Sequence, residues 1–318
     1  MLKRLLGAAL IAGITATGAL AQTESYTIIA PAAPGGGWDQ TARTMQTAMQ
    51  EAGVAGDVQV VNVPGAGGTI GLAQFISQNS GDASALIVGG YVMVGAILTN
   101  NAPYSLDDVT PIARLTGEYE AIVVPAASDF QTIDDLVAAM KADPGAVAIA
   151  GGSAGGTDHI AAGLLAEASG VDPKLINYIA FSGGGEALAA ILGQQVAAGI
   201  SGYGEFESQI AAGTLRLLAM TSEEPIEGID APTLKSSGID VVIQNWRMVA
   251  AAPDITDEQK AQITADIEKM VKSEQWQEAL ERNGWEDTYL SGDAFTAQLA
   301  TDVETTRAIL KTIGLVQE

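Results

Sequence analysis

The chain has 318 residues, 47% of them hydrophobic and 17% charged, enough apolar material for one large or two ordinary packed domains. It carries 38 acidic against 15 basic side chains, a formal charge of −23, which argues against nucleic acid and acidic membrane surfaces as partners, since phosphate contacts need Lys and Arg. It has no cysteine, which rules out disulfides, thiolate metal sites and a cysteine nucleophile.

Residues 1–21 read as a secretory signal peptide. Lys3 and Arg4 are followed by an apolar stretch of about 17 residues, marginal for a membrane span, that ends in Ala19-Leu20-Ala21. Cleavage near Ala21 and export to the periplasm are expected, rather than anchoring. Loss of Lys3 and Arg4 leaves 13 basic against 38 acidic residues, a net charge of −25. With no cysteine to carry a lipid, the exported chain is expected to be soluble and unanchored; a monomer is expected.

Strand-like and helix-like runs then alternate. "YTIIA" (26–30) leads into "PAAPGGGWDQTAR" and the helical "QTARTMQTAMQEAG". "VQVVNV" (58–63) leads into "VPGAGGTIG" and the helical "TIGLAQFISQ", and "ALIVG" (85–89) is followed by Tyr91. "AIVVP" (121–125) precedes "TIDDLVAAMKAD", where Thr132 and Asp135 form a capping-box pattern and Pro144-Gly145 ends the helix. "VAIA" (147–150), "LINYIA" (175–180), "VAAGIS" (196–201) and "LRLLAM" (215–220) continue the series, with "HIAAGLLAEASG" and "EALAAILGQ" as helices between them. Strand, turn and helix in repetition predict parallel βαβ units and an α/β fold. The last 65 residues differ: two amphipathic segments, the first opened by a Thr256/Gln259 capping box, predict helices that pack back on the first lobe.

The first half weakly repeats in the second. "GGGWD" (35–39) and "PGAGG" (64–68) are matched by "GGTDH" (155–159) and "SGGGE" (182–186). Each glycine cluster follows a strand and opens a helix, so the pattern predicts two lobes facing one another. The chain would cross between them near 125 and near 247.

A helix N-terminus offers unpaired N–H groups and a partial positive charge, and glycine lets a ligand approach that backbone closely. Several such turns converging on one cleft make an anion site that needs no lysine, and carboxylates suit it. Neither turn is a phosphate loop with a lysine. "GAGGTIG" also departs from a dinucleotide fingerprint, because Ile70 sits where the third glycine belongs. No cofactor and no metal are expected, with one histidine, no cysteine and no H-E-x-x-H. Gly151-Gly152-Ser153-Ala154-Gly155 fits G-x-S-x-G, so an exported serine hydrolase is the alternative. Its base would have to be His159, six residues on in the same helix and badly placed to serve Ser153. Asp39 has two readings, helix cap or ligand contact. Trp38 is either core or a lid, Glu186 suits a helix first turn, and Arg247 could grip a carboxylate at the second crossover or sit on a hinge.

With "PGGGWD", "VPGAGGTIG", "VTPIARL", "GGSAGGTDHIA", "FSGGGEALAAILGQQV" and "NWR", the chain resembles the substrate-binding receptors of tripartite tricarboxylate transporters, the Bug-type periplasmic binding proteins. It departs from their common pattern at Val63, often arginine, and at Met248, often glycine. The resemblance implies a two-lobed α/β periplasmic-binding-protein-like fold with a ligand cleft and two crossover segments. It implies lobe 1 over 22–125 and 248–318, and lobe 2 over 126–247. It implies capture of a tri- or dicarboxylate and delivery to membrane-embedded transporter subunits. Carried onto this sequence, the ligand residues are expected at Gly36, Gly37, Trp38 and Asp39, at Gly67, Gly68 and Thr69, and at Tyr91. In the second lobe they are expected at Ser153, Thr157 and His159 and at Gly184, Gly185 and Glu186, with Arg247 at the return.

Overall fold

The computed structural model describes residues 25–316; the expected leader, 1–21, lies outside them. The first half of the chain runs β1 (Ser25–Ala30), α1 (Gly37–Glu51), β2 (Asp57–Asn62), α2 (Thr69–Asn79), β3 (Ala85–Gly90), α3 (Tyr91–Thr99) and β4 (Thr110–Pro125). The second runs α4 (Ile133–Ala142), β5 (Ala148–Gly151), α5 (Thr157–Ala168), β6 (Asn177–Ala180), α6 (Gly184–Leu192), β7 (Ala198–Gly202), α7 (Tyr203–Ala211) and β8 (Leu215–Met220). The return is β9 (Gln244–Ala251), followed by α8 (Asp257–Val271), α9 (Glu274–Asn283), β10 (Glu286–Ser291) and α10 (Gly292–Thr312).

Local chemistry explains the clearest of these boundaries. Thr132 and Asp135 make the expected reciprocal cap of α4, and Thr256 and Gln259 that of α8. On β1 the pleat turns Tyr26, Ile28 and Ala30 into the core. β3 is buried along its whole length, as a strand covered on both faces requires, and "ALIVGG" is correspondingly apolar throughout.

The strands form one continuous sheet in the order β2-β1-β3-β9-β4-β7-β5-β6, with β8 and β10 also paired to β4. The expected parallel pairing holds for β1 with β2 and β3, and for β5 with β6 and β7. It fails in the middle, where β9 runs antiparallel to β3 and β4, and β4 runs antiparallel to β7, β8 and β10. β4 changes company along its own length. Its residues 110–119 pair with β9, while 120–123 pair with β7 and 121–125 with β8. One strand is therefore shared by both halves of the sheet.

The C-terminal helices cover the first half. α8 and α9 pack on α1, and α10 lies along α3 and β4. The chain beyond α10 reaches the second half, where Ile313 rests on Gly163 of α5. The halves also meet directly at α3, where a Cβ on Gly95 would overlap the carbonyl oxygen of Gly155. Only a residue without a side chain lets that helix approach the loop so closely.

Gly95→Ala is expected to force these surfaces apart at a cost of about 1–3 kcal/mol, the usual range for overpacking. The midpoint of chemical denaturation measures it, and an unchanged midpoint would show that the contact tolerates a methyl group.

Candidate functional site

A cleft of about 740 Å³ opens between the two halves of the sheet. Its walls include the loops leaving the carboxyl ends of β1, β2, β5 and β6, the place where open α/β sheets hold ligands. Nine of the fifteen expected residues line it. Gly36, Gly37 and Trp38 come from the start of α1, and Gly67 and Gly68 from the turn into α2. Ser153, Gly184 and Glu186 come from the second half, and Arg247 from β9. The first-turn N–H groups at Gly37 and Trp38 of α1, and at Gly184 of α6, precede any intrahelical acceptor. With the positive ends of the two helix dipoles, they provide anion-binding capacity in both walls.

The acidic residues beside these glycines brace their own loops. The N–H of Gly35 donates to Asp39 Oδ2 at 2.8 Å, Asn62 Nδ2 donates to Oδ1 at 2.9 Å, and Arg43 Nε donates at 3.0 Å. Burial pulls the Asp39 carboxyl upward, but the bonds from Arg43, Gly35 and Asn62 outweigh it and hold the pKa below its ordinary value. Asp39, expected at the ligand, thus holds the loop shape and does not line the cleft. In the second half the N–H of Gly152 donates to Asp158 Oδ2 at 2.6 Å, and the N–H of Ser182 donates to Glu186 Oε2 at 3.0 Å.

Five further expected residues also lie away from the cleft wall. Thr69 donates its hydroxyl to the Ala66 carbonyl at 2.9 Å. Tyr91 packs on Trp246 with ring centroids 6.1 Å apart and turns its hydroxyl towards Thr306 of α10. Thr157 is fully buried, and Gly185 is exposed. His159 accepts the N–H of Gly155 at Nδ1, 3.2 Å away, and stacks on Tyr178 with centroids 4.0 Å apart. Burial lowers its pKa to about 4, so the ring is neutral at physiological pH. Ser153 lines the cleft, but the chain's single imidazole is engaged with Gly155 and Tyr178, so the serine has no base of the kind a nucleophile elbow requires.

The floor of the cleft also carries residues that were not expected at the ligand. Asp158, Ser201, Glu205 and Asn245 all line it. Desolvation by burial is the main force on both acids there, raising Asp158 to about 6 and Glu205 to about 7. Arg247 is 3% exposed and opposes Gly90 of β3 and Thr116 of β4 in the sheet. Its Nη2 donates to Glu118 Oε1 at 2.5 Å, its guanidinium lies 4.8 Å from the Trp285 ring centroid, and its Nη1 is buried without a partner. Among the described residues no group of His, Asp or Glu is arranged to hold a metal ion.

Residues 41–315 match the model of the tripartite tricarboxylate transporter family receptor. The chain is 30% identical over 235 residues to Protein BugT of Bordetella pertussis, covering 72% of this chain and 71% of that one. A crystal structure of a TctC solute binding protein from Polaromonas is 29% identical, with a TM-score of 0.67, covering 90% of this chain and 98% of that one. Two structures from Rhodopseudomonas palustris share the fold at 21% identity. One is MatC with bound malate, with a TM-score of 0.77 and coverage of 92% and 99%. The other is Rpa4515 with adipate, with a TM-score of 0.78 and coverage of 91% and 97%.

Breaking one side of a buried ion pair strands the other charge. Arg247→Met is expected to cost about 3–5 kcal/mol in chemical denaturation, and adding Glu118→Gln to recover part of that loss. Equal stability of Arg247→Met and the native protein would show that the pair is not closed in solution.

Proposed function

The chain belongs to the tripartite tricarboxylate transporter receptor family, and from that premise we propose that it captures a small di- or tricarboxylate in the cleft and delivers it to membrane-embedded transporter subunits. The observation that carries this reading is the pair of glycine-opened helix starts, α1 and α6, placed in opposite walls of one cleft. A carboxylate between them would accept backbone N–H groups from each wall. This suits a chain with net charge −23, because the attraction is local and needs no basic side chain. The malate and adipate in the two R. palustris structures are acids of this class. A ligand that touches both walls favours the closed form by its extra contacts there. Closure is a hinge motion of two lobes, residues 22–125 with 248–318 and residues 126–247, about the crossing strands β4 and β9. The transporter reads the closed shape. The receptor acts as an exported monomer in the periplasm after loss of its leader near Ala21, and it turns nothing over.

The test is a thermal-shift screen of residues 22–318, freed of co-purified acids, against citrate, malate, adipate and other organic acids. A ligand at about 100 times its Kd adds about 2.7 kcal/mol, which raises Tm by several degrees. Ser153→Ala is expected to weaken binding by about 0.5–1.5 kcal/mol at most, the worth of one hydrogen bond. No shift with any acid would overturn capture, and hydrolysis by the native protein that Ser153→Ala abolishes would establish the enzyme instead.

A further inference from the structure

We propose that Asp158, Ser201 and Glu205 form a proton-sharing triad that receives one carboxylate of the bound acid, so that capture takes up a proton. The inference rests on the carboxylate-binding reading and assigns a specific device to the second half of the cleft.

The three residues come from α5, β7 and α7, and all three line the cleft. Ser201 Oγ donates to Glu205 Oε2 at 2.5 Å, and Asp158, which accepts the Gly152 N–H at 2.6 Å, is close enough for its charge to act on Glu205. A hydroxyl carries one hydrogen and can serve one of the two acids at a time. Two buried carboxyls this close repel when both are charged, and one proton on the pair relieves that repulsion.

The surroundings push the same way. Glu118 and Glu120 of β4 face the triad, as do Tyr178 of β6 and Arg247 of β9. His159 of α5 is neutral and stacked on Tyr178, whose hydroxyl donates to the Gly152 carbonyl at 2.9 Å. Glu186 of α6 lines the cleft with its carboxylate on the Ser182 N–H. Arg247, the cation among these groups, is paired to Glu118. Glu120 is fully buried with neither carboxyl oxygen partnered, and burial with the charges of Asp158, Glu118 and Glu205 drives its pKa well up. The four carboxyls and one guanidinium in and behind this wall reach low net charge only by holding protons.

An independent feature points to a guest. Arg247 lines the cleft, is nine-tenths buried and more, and keeps Nη1 without a partner. A buried N–H left open costs free energy until an acceptor arrives. A ligand carboxylate on this floor would meet that N–H and a carboxyl O–H, both donors. Its negative charge then raises the affinity of the triad for protons, and the proton comes from solvent. By linkage, affinity rises as pH falls and levels off once the free triad is already protonated. Above about pH 7, where the free acids ionise, each pH unit weakens binding by up to about tenfold per proton taken up.

Calorimetric titration of residues 22–318 with citrate, malate and adipate tests this at about pH 8, where these acids are fully ionised. Runs in buffers of different ionisation heat give the number of protons exchanged. The expected result is an uptake approaching one proton, with affinity that improves towards about pH 6. Glu205→Gln replaces the shared proton with a fixed amide donor, and it is expected to bind while losing most of the pH slope. Binding with no net proton exchange would overturn the proposal and leave capture standing. Binding of none of these acids at any pH would remove capture and the triad's role together. If Glu205→Gln fails to fold, the native titration decides alone.

Discussion

The ion pair between Arg247 and Glu118 sits where the two halves of the sheet join, and the cleft is built around it. Arg247 lies on β9 and Glu118 on β4, the strand that leaves one half for the other. Removing two charges from water is expensive, and such a pair persists only with close geometry and few alternatives. Here the guanidinium is boxed in. A Cβ on Gly37 would lie 2.8 Å from its Nη2, and Trp285 covers one face. The partner carboxylate fills the space above Gly202 of β7, where a Cβ would collide with it. One buried contact thereby ties the first glycine loop, the crossing strand and the second half of the sheet to one another.

A second constraint bears on the anion capture proposed for so acidic a protein. Asp39, Asp158 and Glu186 each stand in the first turn of a helix and accept an N–H from the loop before it. Acids in that position are favoured by the helix dipole, and here they also fix the loop. At least one oxygen of each is thereby engaged by the protein's own backbone. The N–H groups of Gly37 and Gly184 in the first turns have no intrahelical acceptor. The long-range field of −23 charges opposes an anion, but a few oriented N–H groups at hydrogen-bond distance act where screening by water is weakest.

Much of this was legible in the sequence because glycine and β-branched runs have strong local consequences. The strands from 26–30 to 215–220 and the turns at 35–39, 64–68 and 182–186 appear close to where the runs place them. Asp39 and Asp158, in the matched "GGGWD" and "GGTDH", share a role, and it is that of a loop brace. What was hidden depends on tertiary context. The first part of β4, "TPIARLTGEYE", has Pro111, Gly117 and three charged residues, so no period-two pattern emerges, yet buried partners on both sides make it a strand. β10, "EDTYLS", reads as a linker between helices and is a strand because the edge of β4 is open to it. His159 and Tyr91 attract attention as chemistry-bearing residues beside glycine turns, but their positions on α5 and α3 turn them to Tyr178 and to Trp246. Ser201 lies in β7 and Glu205 in the first turn of α7, neither within any motif, and only the packing of α7 against α6 brings Glu205 to the wall beside Gly184.

The central claim is that backbone N–H groups of the glycine turns hold the ligand's carboxylate. Glycine-selective nitrogen labelling of residues 22–318, followed by NMR titration with an acid that binds, tests it most directly. The account predicts that the amide resonances of Gly37 and Gly184, in opposite walls, move together to lower field and saturate with the ligand. Saturating binding that leaves both amides unmoved would contradict it.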